Sequence, residues 1–201
     1  MTWASRAACL ILIRMHRQNL INDDDIQPVI VPRNDKRLVA VPDERKQRLR
    51  EHLIKELADL RKAKHLEHFA SPERPEPTGF AARVAQTACS LCKGFCCRNG
   101  GDDGFLDDRT LARVRLAKQA LTEGALRQLY LDRVPSASFR GSCIFHGSRG
   151  CTLDRSMRAD VCNSYFCGGL GTYVKSCDQA TPALVIAGDG DKMRTSSVLM
   201  P

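Results

Sequence analysis

The sequence predicts a mainly α-helical protein with irregular cysteine-rich segments, to which a C-terminal hairpin adds a small α+β part. Two stretches repeat apolar residues every three or four positions, as amphipathic helices do. Eight of the ten cysteines lie between Cys89 and Cys167, and periodicity is weak from Cys143 onward. Contents of 43% hydrophobic and 27% charged residues are typical of folded proteins, so the chain is not predicted to be disordered as a whole.

Residues 1–42 are predicted to form an irregular N-terminal extension. No helical period is sustained there, and three prolines interrupt the segment. The short apolar runs PVIVP (28–32) and LVAVP (38–42) are typical of extended segments or brief edge strands, because proline cannot donate a hydrogen bond to a strand ladder.

The apolar stretch AACLILI (7–13) is not typical of an export signal. It is at the short limit for a signal-peptide core, Arg14 follows it directly, and no A-x-A cleavage pattern is present. It is also far too short to span a bilayer. We therefore expect a cytoplasmic protein with no membrane partner. The chain becomes more polar from Met15, which suggests the hypothesis that translation starts there and leaves Cys9 outside the native protein.

Residues 43–70 are predicted to form an amphipathic helix. Its acidic first turn suits the positive end of the helix dipole. Four leucines follow at helical steps, namely Leu49, Leu53, Leu57 and Leu60. The opposite face is rich in lysine and arginine, so the helix is expected either to pack on the protein or to bind a protein partner. Three histidines, His52, His65 and His68, lack the HExxH motif of a helical zinc site and are predicted not to bind metal.

A proline-rich linker is predicted at 71–79, followed by a cysteine-cluster domain at 80–180 and a hairpin or tail at 181–201. The linker holds three prolines in six residues. Phe80, Val84 and Ala88 then predict a short helix that leads into Cys89.

A second long helical pattern begins at Asp107 or Asp108. The loop NGGDDG (99–104) before it lacks the alternating ligands of a calcium loop, so a plain turn is predicted. Gly124 is expected to break the pattern into two helices, and Pro135 to end it. At the C-terminus, ALVIAG (183–188) and SSVLM (196–200) flank the turn sequence GDGD and predict a hairpin.

The net charge of +8 does not by itself predict nucleic-acid binding. The 31 basic residues are interleaved with 23 acidic ones, which is typical of solvated helix faces. Aromatic residues make up only 5%, so stacking platforms for single strands are not expected. Nucleic acid is therefore an unlikely partner.

The thiols follow the spacing Cys89-x2-Cys92-x3-Cys96-Cys97, Cys143-x7-Cys151 and Cys162-x4-Cys167. A C-x2-C unit aims two thiolates at one metal ion from a tight turn. Disulfides are the alternative, but they are favoured in exported proteins. A catalytic thiol is a further alternative, yet His146 near Cys143 is not accompanied by any nucleophile signature. Metal ligation is the favoured interpretation, and thiolates suit iron and zinc alike.

The adjacent pair Cys96-Cys97 bears on the number of metal ions. Neighbouring side chains of an extended segment point to opposite sides, so two adjacent thiolates are expected to serve two centres rather than one. Eight thiols also exceed what one four-thiolate site needs. More than one metal ion is therefore favoured. Cys177 and Cys9 stand apart from the pattern and are expected to be dispensable.

The arrangement resembles the CxxCxxCC family of zinc- or iron-chelating proteins, also called YkgJ-type cysteine-cluster proteins. The resemblance rests on CSLCKGFCC (89–97), the C-x-F-H and G-C-x-L steps within 143–153, and the closing aromatic-Cys, and it covers about residues 88–170. Asn163 stands where that family commonly has an arginine. The resemblance implies eight metal ligands, which are Cys89, Cys92, Cys96, Cys97, Cys143, Cys151, Cys162 and Cys167.

These observations lead to one favoured function and two alternatives. The favoured one is a cytoplasmic protein that binds iron, as an iron–sulfur cluster, or zinc, with a structural, redox or metal-handling role. The first alternative is an enzyme related to iron–sulfur lysine N-methylases, which share the cysteine block; no glycine-rich cofactor loop and no catalytic residue can be assigned. The second is a zinc module that binds nucleic acid, for which paired-histidine finger spacing is missing.

Overall fold

The computed structural model describes residues 25–62, 77–176, 181–189 and 191–201. Contacts within the chain divide it into two units. One, named here the sheet unit, comprises Met1–Arg33, Pro77–Cys92 and Phe166–Pro201. The other, the helical unit, comprises Asn34–Glu76 and Lys93–Tyr165.

Six helices and seven short strands are described. The helices are α1 (Asp43–Lys62), α2 (Gly79–Cys92), α3 (Asp108–Ala117), α4 (Glu123–Leu131), α5 (Asp160–Ser164) and α6 (Gly168–Ser176). The strands are β1 (Gln27–Pro32), β2 (Leu38–Ala40), β3 (Ala137–Phe139), β4 (His146–Gly147), β5 (Gly150–Cys151), β6 (Ala183–Asp189) and β7 (Lys192–Thr195). The prediction of a mainly helical protein with a small α+β character is confirmed.

The sheet unit is built on three strands in the order β1-β6-β7. β1 runs parallel to β6, with Gln27 opposite Ala183 and Pro32 opposite Gly188. β1 is an edge strand, which accommodates its two prolines as predicted from PVIVP. Helix α2 packs on β6 and helix α6 on β1. The buried side chains include Val29, Val31, Val84 and Tyr173 together with most of β6.

The predicted C-terminal hairpin forms, but its second strand is shorter and earlier than expected. β7 pairs antiparallel with β6, and the ladder closes where Asp189 lies opposite Lys192. This register brings 192–195 into the ladder and leaves 196–200 beyond it. Leu199 then forms an isolated bridge with Ala183.

The helical unit packs α1 against α3 and α4. Leu49, Leu53, Leu57 and Leu60 of α1 are all buried in its core. The leucine face that was predicted to serve packing or a partner is thus covered by the unit's own helices. The part of the predicted helix beyond Lys62, with His65 and His68, lies outside the described residues.

The division by contacts differs from the division expected from composition. Composition separated residues 43–70 from a cysteine domain at 80–180, whereas contacts place α1 in the same unit as α3 and α4. The physical reason is that buried apolar area, rather than the composition of a following linker, decides which segments pack together. Most of the predicted linker at 71–79 lies outside the described residues, and α2 begins at Gly79.

The break between α3 and α4 also differs from the prediction. α3 starts where expected, with the Asp107 side chain accepting a hydrogen bond from the Thr110 N–H at 2.9 Å. It ends at Ala117, and Thr122 caps α4 by accepting from the Ala125 N–H at 3.2 Å. Gly124 therefore lies within the first turn of α4, because the N-cap at Thr122 sets the boundary. Among the residues described, no helix is both long and apolar enough to cross a membrane.

Candidate functional site

Five of the eight predicted ligands belong to the helical unit and come from four chain segments. They are Cys96 and Cys97 in the 3-10 turn Phe95–Asn99, Cys143 after β3, Cys151 in β5 and Cys162 in α5. All five are free thiols. Cys96 and Cys162 are exposed, Cys97 and Cys151 are half-buried, and Cys143 is buried.

The charges of neighbouring cysteines contribute to the pKa of Cys97, Cys143 and Cys162. Burial, followed by the negative charges of Cys151 and Cys96, raises the pKa of Cys162 to about 11. Burial is also the main cause that raises the pKa of Cys143 to about 12, and charges at Cys151 and Cys162 add to it. The five thiols therefore form one electrostatic group, which we call the thiol cluster.

Cys96 and Cys97 perturb each other's pKa within the thiol cluster. The hydrogen bond from Cys97 lowers the pKa of Cys96 to about 7. The same hydrogen bond, together with burial and the charges of Cys143 and Cys151, raises the pKa of Cys97. The pair therefore loses one proton readily and holds the other, since the remaining proton is shared between two sulfurs.

The placement of this pair corrects an expectation from the sequence. The expectation that adjacent thiols point to opposite sides assumed an extended segment. The segment is instead a 3-10 turn, in which successive side chains are separated by about 120° rather than 180°. The premise of an extended segment therefore does not hold for this pair, and more than one metal ion stays a prediction that rests on the number of thiols.

Backbone hydrogen bonds join the turn that carries Cys97 to the segment that carries Cys143. The Cys143 N–H donates to the Cys97 carbonyl at 2.8 Å, and the Ile144 N–H donates to the Gly101 carbonyl at 2.8 Å. A Cβ on Gly100 would lie 2.8 Å from the Cys143 Cβ, closer than real side chains approach. The two segments are thus held at a separation that only glycine allows at position 100.

Arg45 of α1 ties together the same two segments. Its guanidinium donates to the Gly101 carbonyl at 3.2 Å and to the Ser142 carbonyl at 2.7 Å. It also donates to the Ser138 hydroxyl at 2.9 Å and forms an ion pair with Asp102. The Arg45 charge acts to lower the pKa of Cys143, against the larger effect of burial. The arginine therefore supports the thiol cluster both by hydrogen bonding and by charge.

The importance of Arg45 was missed from the sequence, although a signal was present. Arg45 lies four residues before Leu49, so it continues the buried leucine stripe of α1 by one helical step. A charged residue on the apolar face of a helix indicates a specific buried partner, since an unpaired charge there would be costly.

Arg113 of α3 holds the segment that leads to Cys162. Its guanidinium donates to the Ser156 carbonyl and, at 2.6 Å, to the Arg158 carbonyl, and it lies 3.3 Å from the Asp160 carboxylate. Arg158 in turn donates to the Leu153 carbonyl at 2.9 Å. The Arg158 charge opposes the rise in the pKa of Cys162.

His146 is a buried histidine inside the helical unit, directly opposite Cys151 in the β4–β5 ladder. Its Nδ1 is hydrogen-bonded to the Ser142 hydroxyl at 2.8 Å, and its ring packs on Phe139 with centroids 4.7 Å apart. Burial lowers the pKa of His146. A Cβ on Gly94 would lie 2.5 Å from the His146 Nε2, so the histidine ring packs directly on the chain before Cys96.

The other three predicted ligands belong to the sheet unit. Cys89 is exposed and Cys92 is buried, both on α2, and Cys167 is half-buried immediately before α6. Helices α2 and α6 pack against each other within this unit. Cys9 and Cys177 lie outside the described residues.

Within the ranges that the structure describes, no three histidine, cysteine, aspartate or glutamate side chains are grouped as a metal site requires. The thiols have the donor chemistry of zinc and iron–sulfur ligands, but their side chains do not converge on one position.

The NGGDDG loop was predicted to be a plain turn rather than a calcium loop. Its Asp102 carboxylate forms ion pairs with Arg45 and with Arg48, the latter at 2.6 Å.

No family model, no curated protein and no solved structure matches the chain.

Proposed function

We propose that this protein binds a thiophilic metal, either iron in an iron–sulfur cluster or zinc, and that its role is structural, redox or metal-handling. The single observation that carries the proposal is the thiol cluster, in which the helical unit brings together five free cysteines from four chain segments. Thiolates at short range repel one another, so a cluster of this kind favours a bound cation.

A bound cation would add to the positive charge that Arg45 and Arg158 bring to the thiol cluster. Burial and mutual repulsion keep Cys143 and Cys162 protonated in the metal-free chain. A metal ion reverses this balance, since coordinating thiols lose their protons outright. Metal uptake is therefore expected to release protons and to weaken as the pH falls. It also requires the thiol side chains to turn toward a common centre.

The location proposed with this function is the cytoplasm. Free thiols at Cys96 and Cys162 are both exposed. Thiols in such positions persist in a reducing compartment, whereas an oxidising one favours disulfides.

Metal analysis of protein purified without oxygen tests the proposal. We expect either a brown protein with broad visible absorbance and stoichiometric iron and sulfide, or a colourless protein with stoichiometric zinc. Cys162→Ser should lose most of the metal and lower the melting temperature, because metal binding is also folding free energy. Cys177→Ser is the matched control and should retain both. Protein that carries no metal after anaerobic purification and takes up neither metal on reconstitution would contradict the proposal.

A further inference from the structure

Two exposed arginines lie opposite each other at the end of the ribbon formed by β2 and β3. The two strands are antiparallel, with Leu38 opposite Phe139. The Arg140 N–H donates to the Arg37 carbonyl at 2.9 Å, so these two residues form the next cross-strand pair beyond the ladder. Directly opposite residues of this kind share one face of the ribbon, with Cα atoms about 5.5 Å apart. Both arginine side chains are exposed.

The positive charges of this pair are not balanced by the protein. Within the part of the chain that the structure describes, no carboxylate lies within ion-pair distance of either guanidinium group. Like charges directly opposite each other destabilise an antiparallel pair. A bound anion would remove this repulsion and pair with both charges.

Arg45 fixes the chain on both sides of Arg140. Its guanidinium donates to the Ser138 hydroxyl at 2.9 Å and to the Ser142 carbonyl at 2.7 Å, and these residues lie two positions before and two positions after Arg140. The ion pair with Asp102 holds the Arg45 side chain in this position. The backbone that presents Arg140 is therefore set before any ligand arrives.

The turn that leads into β2 has an unused hydrogen-bond donor. The Asn34 side chain is 1% exposed, and its Oδ1 accepts from the Lys36 N–H at 3.1 Å. Its Nδ2 has no hydrogen-bond partner among the described residues. A buried donor without a partner costs free energy. This turn, which also carries the exposed Lys36 beside Arg37, therefore retains a donor for an additional acceptor.

We propose that Arg37 and Arg140 together bind one oxyanion of the phosphate class. A planar guanidinium group pairs with such an oxyanion through two parallel N–H···O bonds. Two guanidinium groups on one face of the ribbon are close enough to share a single tetrahedral anion. The inference does not depend on the metal site proposed above. Its ligand is either free phosphate or a phosphodiester of a nucleic acid, which present the same oxygens.

Titration of reduced, metal-free protein with inorganic phosphate tests the proposal. The arginine Nε–Hε signals are followed by NMR at low ionic strength, because salt screens exposed charges. We expect the signals of Arg37 and Arg140 to shift together and to saturate, whereas sodium chloride at matched ionic strength should not reproduce the shifts. Shifts that do not saturate, or that chloride reproduces, would overturn the proposal.

Matched variants separate a site from a general effect of net charge. Arg37→Gln and Arg140→Gln should each weaken phosphate binding at least about 10-fold, since each removes one charge-assisted contact. Arg109→Gln removes the same charge from an exposed position on α3 and should leave the affinity unchanged. Asp35→Asn should strengthen binding, because it removes a negative charge two residues before Arg37. Equal weakening in all three arginine variants would overturn the proposal.

Thermal unfolding gives a readout that is independent of the NMR signals. Without phosphate, Arg37→Gln and Arg140→Gln should be at least as stable as the wild type, because each relieves like-charge repulsion. Phosphate should raise the melting temperature of the wild type more than that of either variant, since a ligand stabilises the form that binds it. Equal increases in the wild type and both variants would contradict the site.

A short single-stranded oligonucleotide without terminal phosphates distinguishes the two sources of the ligand. If it shifts the Arg37 and Arg140 signals and displaces inorganic phosphate, the ligand is a phosphodiester. If it leaves bound phosphate in place, the ligand is free phosphate. Both results support an oxyanion site at this pair, whereas displacement of phosphate without any change in either arginine signal would overturn it.

Discussion

The guanidinium of Arg45 donates a hydrogen bond of 2.7 Å to the carbonyl of Ser142, the residue that precedes Cys143. The same side chain reaches Asp102 in the loop that follows the Cys96–Cys97 turn. A helix far from the cysteines in sequence thus supports two of the segments that carry them. This relationship connects the stability of α1 to the geometry of the thiol cluster.

Replacement of Arg45 by alanine should destabilise the helical unit. The side chain is only 15% exposed, and its loss removes the ion pair with Asp102 and the hydrogen bonds to the Gly101 and Ser142 carbonyls. We expect a loss of about 2–4 kcal/mol in the free energy of unfolding, since an ion pair and several partly buried hydrogen bonds disappear together. Urea unfolding of the metal-free protein provides the measurement.

Arg48→Ala is the matched control for Arg45. Arg48 contacts the same Asp102 carboxylate, but its side chain is 57% exposed. Its removal should lower stability by less than about 1 kcal/mol. Hydrogen exchange of the Cys143 and Ile144 amides should accelerate only in the Arg45 variant. Equal effects of the two substitutions would contradict the role assigned to Arg45.

Leu53→Ala should show that α1 is part of the core rather than a detachable helix. Leu53 is fully buried among the side chains of the helical unit, whereas its neighbour Ile54 is 47% exposed. Truncation of a buried leucine leaves a cavity and costs about 2–5 kcal/mol. Ile54→Ala should have little effect on thermal or urea unfolding. A helical unit that unfolds identically in both variants would show that the leucine face of α1 is not packed.

Gly94→Ala should be more destabilising than Gly141→Ala, although both glycines have nearly the same backbone conformation. Their φ angles are 62° and 65°. A left-handed conformation costs a non-glycine residue about 1–2 kcal/mol at either position. A Cβ on Gly94 would also collide with the His146 ring, whereas nothing lies within 4 Å of a Cβ on Gly141. The free energy of unfolding of Gly94→Ala minus that of Gly141→Ala therefore measures the cost of this collision. Equal values for the two variants would argue against it.

Stability should fall as the pH is lowered through the titration of His146. Burial lowers the pKa of His146 in the folded protein. The unfolded chain therefore takes up a proton first, at about pH 6.5, and the free energy of unfolding decreases below that pH. His146→Gln should reduce this slope between about pH 7 and 5. Unfolding of metal-free protein across this range is the measurement, and an unchanged slope in His146→Gln would contradict it.

Local periodicity was sufficient to locate several elements. The starts of α1 at Asp43 and α3 at Asp108 were predicted because caps and apolar spacing act within one or two helical turns. The helix before Cys89 was also predicted, and it extends to Cys92. Helix α6 was not predicted, because three of its first four residues are glycines, which carry no periodicity.

Pairings between distant segments could not be predicted in the same way. β1 pairs with β6 across more than 150 residues of sequence, and nothing local to either strand specifies its partner. The partners of Arg45 are equally distant, although its position on the leucine stripe was a readable signal. Both cases depend on which surfaces meet once the chain has folded.

For the thiols, the sequence by itself determined how many there are, how they are spaced and which chemistry they share. Tertiary structure decided which of them belong to the same unit. It placed Cys96 and Cys97 in a turn rather than a strand, and it grouped them with Cys143, Cys151 and Cys162 in one unit. The physical reason is that side-chain direction follows the backbone conformation, which the packing and hydrogen bonds of the folded unit select.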